Sequence, residues 1–169
     1  MIAEKILMFE KILIAVDESE VSQQIFAKAL SLAKTGHSRL LLVHVQHPFE
    51  EQLPNPVFPY ESTYPRASAE AFTLHMQKWQ QAGDRGLEFL QAMADRAIAA
   101  GVDVQINQAL GNPGQAICEL AKTWKAHLII VGRRGRTGIH EWIGGSVSNY
   151  VLHHAPCSVL TIQEHKSVA

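Results

Sequence analysis

Short apolar runs alternate with amphipathic stretches along most of the chain. Residues 11–16, KILIAV, form an apolar run of strand length that ends in Asp17, Glu18 and Ser19. Those three start helices, because their side-chain oxygens accept from the first unpaired amides and acidic groups suit the positive end of the helix dipole. Val21, Ile25 and Leu32, with Phe26, Ala29, Leu30 and Ala33 one step around, mark one face of an amphipathic helix ending near Gly36. Residues 39–45, RLLLVHV, predict the next strand, so the first 45 residues read as a βαβ unit with parallel strands.

The pattern stops over residues 46–66, where Pro48, Pro54, Pro56, Pro59 and Pro65 exclude helix and central-strand pairing. This proline-rich insertion reads as a long loop leaving the carboxyl end of the second strand, the end at which open parallel sheets bind ligands. Its aromatic residues, Phe49, Phe58, Tyr60 and Tyr64, are expected to clamp it to its own domain. Phe72, Met76, Trp79, Gly83, Leu87, Leu90, Ala94 and Ile98 then mark the stripe of a helix over 67–100. Within it Gly83 and Gly86 each cost about 1 kcal/mol relative to alanine and favour a kink or break. Residues 102–109, VDVQINQA, alternate apolar and polar, as a strand near a sheet edge does. Asn112 as cap and Pro113 in the first turn open a third helix with Ile117, Leu120, Ala121 and Trp124 inward. Residues 128–131, LIIV, are apolar throughout, which suits a parallel strand covered on both faces. A last helix runs from Ser146 to about His154 and stops before Pro156, and a final strand spans Cys157 to Ile162.

Five strands alternating with four helices make a single α/β domain over residues 1–169, a doubly wound, Rossmann-like parallel sheet. In that architecture the ligand crevice opens where the strand order reverses, beside the first strand. If the first and fourth strands are neighbours, Asp17 faces Gly132 across it.

Composition narrows the classes. With 47% hydrophobic and 18% charged residues the chain is globular, and a formal net charge of -1 argues against nonspecific nucleic-acid binding, which needs a basic surface. No run reaches the length of a membrane span, and Glu4, Lys5, Glu10 and Lys11 break up what a signal peptide keeps continuous. A cytoplasmic protein without a membrane partner is expected. Cys118 and Cys157 are too few for a disulfide framework and read as reduced, partly buried thiols.

The chemistry gathers after the fourth strand. Gly132, Gly135, Gly138, Gly144 and Gly145 punctuate the stretch HLIIVGRRGRTGIHEWIGGS, and Ser146 opens the helix that carries Val147, Tyr150 and Val151. Glycines let backbone N–H groups approach a ligand, and a helix N-terminus aims unpaired donors at it, an arrangement suited to phosphate. Arg133, Arg134 and Arg136, the densest basic group, lie in the same stretch. Neither Gly-Lys-Ser/Thr nor Gly-x-Gly-x-x-Gly occurs, so the P-loop and dinucleotide patterns are absent. A carboxylate at Asp17 would repel triphosphate oxygens directly, but it can accept from a ribose diol or approach phosphates through Mg²⁺. It also suits a helix cap. Ser146 can cap its helix and bond a phosphate at once.

Other chemistries fare worse. His153, His154 and Cys157 make a poor metal site, since adjacent helical residues point about 100° apart and no second cysteine is expected nearby. His44 is expected to be a neutral, hydrogen-bonded strand residue, because no nucleophile is placed to use a base. Glu50 and Glu51 are a loop charge cluster. A receiver-like phosphoacceptor role for Asp17 fails because the third strand does not end in aspartate.

Taken together, KILIAVDES, LLVHV, GNPGQAI and HLIIVGRRGRTGIHEWIGGSVSNYVLHHAPCSVLTI resemble the single-domain, ATP-binding branch of the universal stress protein family, from Lys11 to Gln163. The family's nucleotide signature, Gly-x2-Gly-x9-Gly-Ser/Thr, is met by Gly132, Gly135, Gly145 and Ser146. The resemblance implies a strand order of 3-2-1-4-5 and a homodimer in which the strands from Cys157 to Ile162 pair antiparallel. It also implies that Asp17 bonds the ribose or adenine side, that Ala15 and Val16 line the adenine slot, and that Val45 meets the adenine edge through its backbone. Val131 and Gly132 would pass under the ribose and α-phosphate, while Gly135, Gly145, Ser146 and Val147 would hold the phosphates. Arg133 and Arg134, where the family varies, are counted with the nucleotide-binding residues.

Two functions follow for such a pocket. In the first, ATP, ADP or AMP, with Mg²⁺ as a companion ion, binds a homodimeric stress-response sensor that hydrolyses it slowly or not at all. Occupancy would change what the dimer contacts, an unidentified downstream protein among them, with no catalytic residue and no metal held by protein alone. In the second, an enzyme uses the pocket for slow ATP hydrolysis, adenylation or phosphotransfer, with Arg133, Arg134 or Arg136 stabilising phosphate charge.

Overall fold

A computed structural model of the chain describes residues 9–46, 65–133 and 146–163. Strands and helices alternate as β1 (Lys11–Ala15), α1 (Glu20–Gly36), β2 (Arg39–Gln46), α2 (Pro65–Ala99), β3 (Val104–Leu110), α3 (Pro113–Trp124), β4 (Leu128–Arg133), α4 (Ser146–His154) and β5 (Ser158–Gln163). All four strand pairs are parallel and the order is β3-β2-β1-β4-β5, the arrangement the alternation and the resemblance imply.

Side chains alternate between the faces of a strand, and in the three central strands both sets are apolar. On one face Ile12, Ile14, Leu40, Leu42, Leu128 and Ile130 pack with Phe26 and Ala29 of α1 and Leu90 and Met93 of α2. On the other, Leu13, Leu41, Val43, Ile129 and Val131 meet Ile117 and Ala121 of α3 and Val151 of α4. Burial on both sides is why these strands read as unbroken apolar runs. At the sheet edge β3 has no fully buried residue, which fits its polar alternation.

The break expected in α2 at Gly83 and Gly86 is absent, for α2 is one continuous helix. Both glycines exist because the sheet comes close. A Cβ on Gly86 would lie 2.6 Å from His44 Cε1, and one on Gly83 would lie 2.9 Å from Gln46 Oε1. Gln46 Nε2 donates to Trp79 O at 2.6 Å and Gln108 Nε2 to Gly83 O at 2.7 Å, so two amide side chains pin the helix at its glycines. The apolar stripe on α2 is also shorter than its spacing suggests. Ala82, Leu90, Met93, Ala94 and Ala97 are buried, whereas Phe72, Met76, Leu87 and Ile98 are exposed. A 35-residue helix is about 52 Å long and an eight-residue strand about 26 Å, so one half of α2 overhangs the sheet. Leu32 of α1 is exposed as well, one residue and about 100° around from buried Ala33.

Boundaries shift by a residue or two for local reasons. Val102 N donates to Ala97 O at the end of α2, so β3 begins at Val104 and not at 102. Gln46 still belongs to β2 and Pro65 and Arg66 already belong to α2, which shortens the expected 46–66 insertion to residues 47–64, outside the described residues. His37, not Gly36, takes the left-handed conformation that ends α1, with φ 52°. Asn112 caps α3 as read, its Oδ1 accepting from Gln115 N at 3.2 Å behind Pro113. Among the described residues no helix is long and apolar enough to cross a membrane.

Candidate functional site

The strand order reverses at β1, with β2 and β3 to one side and β4 and β5 to the other. Helices α1 and α2 cover one face and α3 and α4 the other, leaving a crevice beyond the carboxyl ends of β1 and β4. Ile14 pairs with Ile130 and Ala15 with Val43. Carried two residues further, that register sets Val16 level with Gly132 and Asp17 level with Val45. The strands expected to be neighbours are neighbours. Because the helices run against the strands, α1 and α4 both start at this end, and their first-turn amides favour an anion there.

Ala15, Val45, Val131 and Val147 all pack on the α3–α4 side of the sheet, Val131 buried and the others partly so. Val16 differs. Its side chain is buried in the opposite core, so of the two residues expected to line a base slot only Ala15 can present a side chain on the same face as Val45. Val16 N instead donates to Val43 O at 2.9 Å, extending the sheet to the lip of the crevice.

Asp17 is held by the start of α1. Its Oδ1 accepts from Ser19 N at 3.1 Å, from the Ser22 hydroxyl at 2.8 Å and from the Ser19 hydroxyl, and its own N donates to Ser22 Oγ at 2.8 Å. Ser19, the N-cap, makes no side-chain cap bond of its own. The carboxylate therefore organises the turn that carries it. Buried Ser22 escaped the sequence reading, because a hydroxyl five residues on reaches Asp17 only after the 17–19 turn has folded back.

Gly132 has a packing reason of its own. A Cβ there would lie 2.5 Å from Ile25 Cδ1 and 3.4 Å from Val21 Cγ1, so α1 sits where a side chain would go. Past it β4 continues to Arg133, paired with Gln163 of β5. Arg134, Gly135 and Gly145, together with Arg136, Gly138 and Gly144, lie outside the described residues. Ser146 is the first residue of α4, and Ser148 behind it is buried.

His44 faces α2 at Gly86, and its Nδ1 is buried with no hydrogen-bond partner among the described residues. An open groove of about 550 Å³ lies elsewhere, between β3 and α3, lined by Leu41, Gln105, Asn107, Leu120 and Trp124. It is two strands from the crevice and carries no titratable side chain. Among the described residues no group of three His, Cys, Asp or Glu side chains could hold a metal ion.

A sequence model described as the universal stress protein family matches residues 8–163. The chain belongs to the universal stress protein family. Universal stress protein Sll1388 of Synechocystis is 32% identical over 155 residues, covering 92% of this chain and 98% of that one. Slr1101 of the same organism is 39% identical over 103 residues, covering 60% and 95%. Among solved structures, hypothetical protein MJ0577 matches with a TM-score of 0.73 at 18% identity, covering 95% of this chain and 99% of that one. A universal stress protein in complex with cAMP has a TM-score of 0.60 at 22% identity, covering 92% and 97%. A universal stress protein family member from Arabidopsis thaliana with AMP bound has a TM-score of 0.59 at 23% identity, covering 92% of each chain. The structural matches establish a universal stress protein fold for this chain, with its reversal of strand order at β1.

Proposed function

We propose that this universal stress protein is a homodimeric, cytoplasmic sensor of adenine nucleotides that binds ATP with little or no hydrolysis and answers to a downstream protein. The observation that supports the reading is the register at the reversal of strand order, which, carried past the paired residues, sets Asp17 level with Val45 and its neighbour Val16 level with Gly132. Family members solved with cAMP and AMP support an adenine nucleotide as the ligand class. In this reading Asp17 takes the ribose hydroxyls, Ala15 and the backbone of Val16 and Val45 bound the base, and Val131 and Gly132 pass under the ribose and α-phosphate. The amides of Gly132, Gly135, Gly145, Ser146 and Val147 take the phosphates, aided by Arg133 and Arg134, and Mg²⁺ accompanies the triphosphate. For the dimer, β5 offers an edge with partly exposed Val159 and exposed Leu160, the kind of strand margin that proteins cover.

The test is to strip the protein of nucleotide, titrate it with ATP, ADP, AMP and cAMP by calorimetry, and follow ATP with Mg²⁺ over hours. Binding with almost no turnover is expected. Gly135→Asp, which sets a carboxylate against phosphate, should abolish binding while light scattering still reports a dimer. Wild-type affinity in that variant would remove the site assignment, and rapid turnover would move the protein to the ATP-using enzymes.

A further inference from the structure

The two thiols take no part in the proposed pocket, yet the fold brings them together. At Gly114 of α3 the Tyr150 side chain of α4 fills the space of a side chain, since a Cβ there would lie 2.7–2.9 Å from Tyr150 Cδ1, Cγ and Cβ. Both helices return against the strands and so run side by side in the same sense. One turn past this contact stand Cys118 on α3 and His154 on α4, after which Ala155 and Pro156 turn the chain into Cys157. Cys118 and Cys157 are free, partly buried and packed on the same apolar cluster. Burial raises the pKa of each, and the nearby Cys118 raises that of Cys157 further, as a second thiolate beside a first must. Beside them His154 is held in place, its Nδ1 2.8 Å from Tyr150 O and its ring stacked on Tyr150.

We propose that Cys118 and Cys157 are a modification site at which a peroxide forms a reversible intramolecular disulfide, stapling α3 to the turn between α4 and β5. One sulfur, as thiolate, attacks a peroxide oxygen, the O–O bond breaks, and the departing hydroxide takes up the thiol's proton as water. The other sulfur attacks the resulting sulfenic acid, the S–S bond forms, and the sulfenic hydroxyl leaves with the second proton as water. Two thiols and one hydrogen peroxide thus give one disulfide and two waters, with two electrons passing from sulfur to oxygen. Thiols held protonated react slowly at neutral pH, and the rate climbs about tenfold per pH unit until they ionise. The bridge closes a loop that contains β4 and α4, and it stands independently of the nucleotide reading.

The test treats the reduced full-length chain with hydrogen peroxide, alkylates it with iodoacetamide and weighs it. A monomer lighter by two hydrogens is expected, with both cysteines protected until dithiothreitol restores them. A peptide map should show one linked pair carrying both residues, forming faster at pH 9 than at pH 7. Cys118→Ser and Cys157→Ser should each lose the mass change and accumulate sulfinic acid on the remaining thiol. Sulfinic or sulfonic acid on the wild-type cysteines without a linked pair, or a disulfide found only between two copies on a non-reducing gel, overturns the proposal. The peptide map of the wild-type protein decides the matter even where a serine variant does not fold.

Discussion

Gly132→Ala asks what this glycine is for. The new methyl would sit 2.5 Å from Ile25 Cδ1, while Val21 Cγ1 at 3.4 Å and Ile25 Cγ1 at 3.7 Å are within tolerance of ordinary contact. Ile25 is only 2% exposed, so its terminal methyl has little room to swing away. Interiors packed at crystal-like density answer an extra methyl with off-rotamer side chains or backbone shifts, at about 1–3 kcal/mol. Alanine offsets about 0.5–1 kcal/mol of that, because it gives up less backbone freedom than glycine on entering a strand. A net loss of about 1–2 kcal/mol is expected, read by urea unfolding. Ile25→Val deletes Cδ1 and costs about 0.5–1.5 kcal/mol alone. In the double variant the colliding pair no longer exists, so alanine should add no further loss, and a coupling of about 1–2 kcal/mol should emerge from the four stabilities. The methyl points into α1 and away from the crevice, so the double variant should also bind AMP as the wild type does. Simple addition of the two single losses would refute the packing account. A stable double variant that binds no nucleotide would show that ligand approach, not α1, requires the glycine.

Gly86→Ala should lower stability by about 1–2 kcal/mol despite its gain in helix propensity, since the methyl meets His44 Cε1 at 2.6 Å and Gln108 Nε2 at 2.9 Å. In a His44→Ala background most of that loss should disappear, with only the Gln108 Nε2 contact left to relieve, and urea unfolding that finds the same loss in both backgrounds counts against the His44 contact. Asp17→Ala removes a charged acceptor, worth about 1.5–3 kcal/mol, and should weaken AMP binding roughly 10–150-fold by calorimetry. Unchanged affinity would leave Asp17 with only its role at the start of α1. Burial raises both thiol pKa values, so the unfolded chain loses these protons at lower pH than the folded one. Stability should therefore hold below the ordinary thiol range and fall as pH rises through it, less steeply in Cys118→Ser. Equal slopes in chemical denaturation from pH 8 to 10 would contradict this.

Much of the architecture was legible because parallel strands buried on both faces must be apolar throughout, and helices that cover them must show one apolar side. KILIA, RLLLVHV and LIIV could be little else, and Asn112-Pro113 announced the start of α3 by chemistry that acts within a few residues. The glycine-serine spacing from Gly132 to Ser146 suggested a phosphate-bearing ligand for the same reason, since bare amides and a helix start are local properties, whereas the carboxylate at Asp17 suited a ribose diol or a helix cap.

What the tertiary structure alone decided are distances between segments far apart in sequence. Strand periodicity contains no information on order, so only the pairing of Ile14 with Ile130 and of Ala15 with Val43 shows that β1 lies between β2 and β4 and that the three end at one crevice. Gly83 and Gly86 looked like weaknesses in a helix because propensity counts only the helix, whereas the folded protein presses His44, Gln46 and Gln108 against them. Gly132 read as room for a ligand, and the fold adds that Ile25 fills the side-chain position. Spacing assigns a residue to one face of its own element, and close packing between elements determines what that face touches.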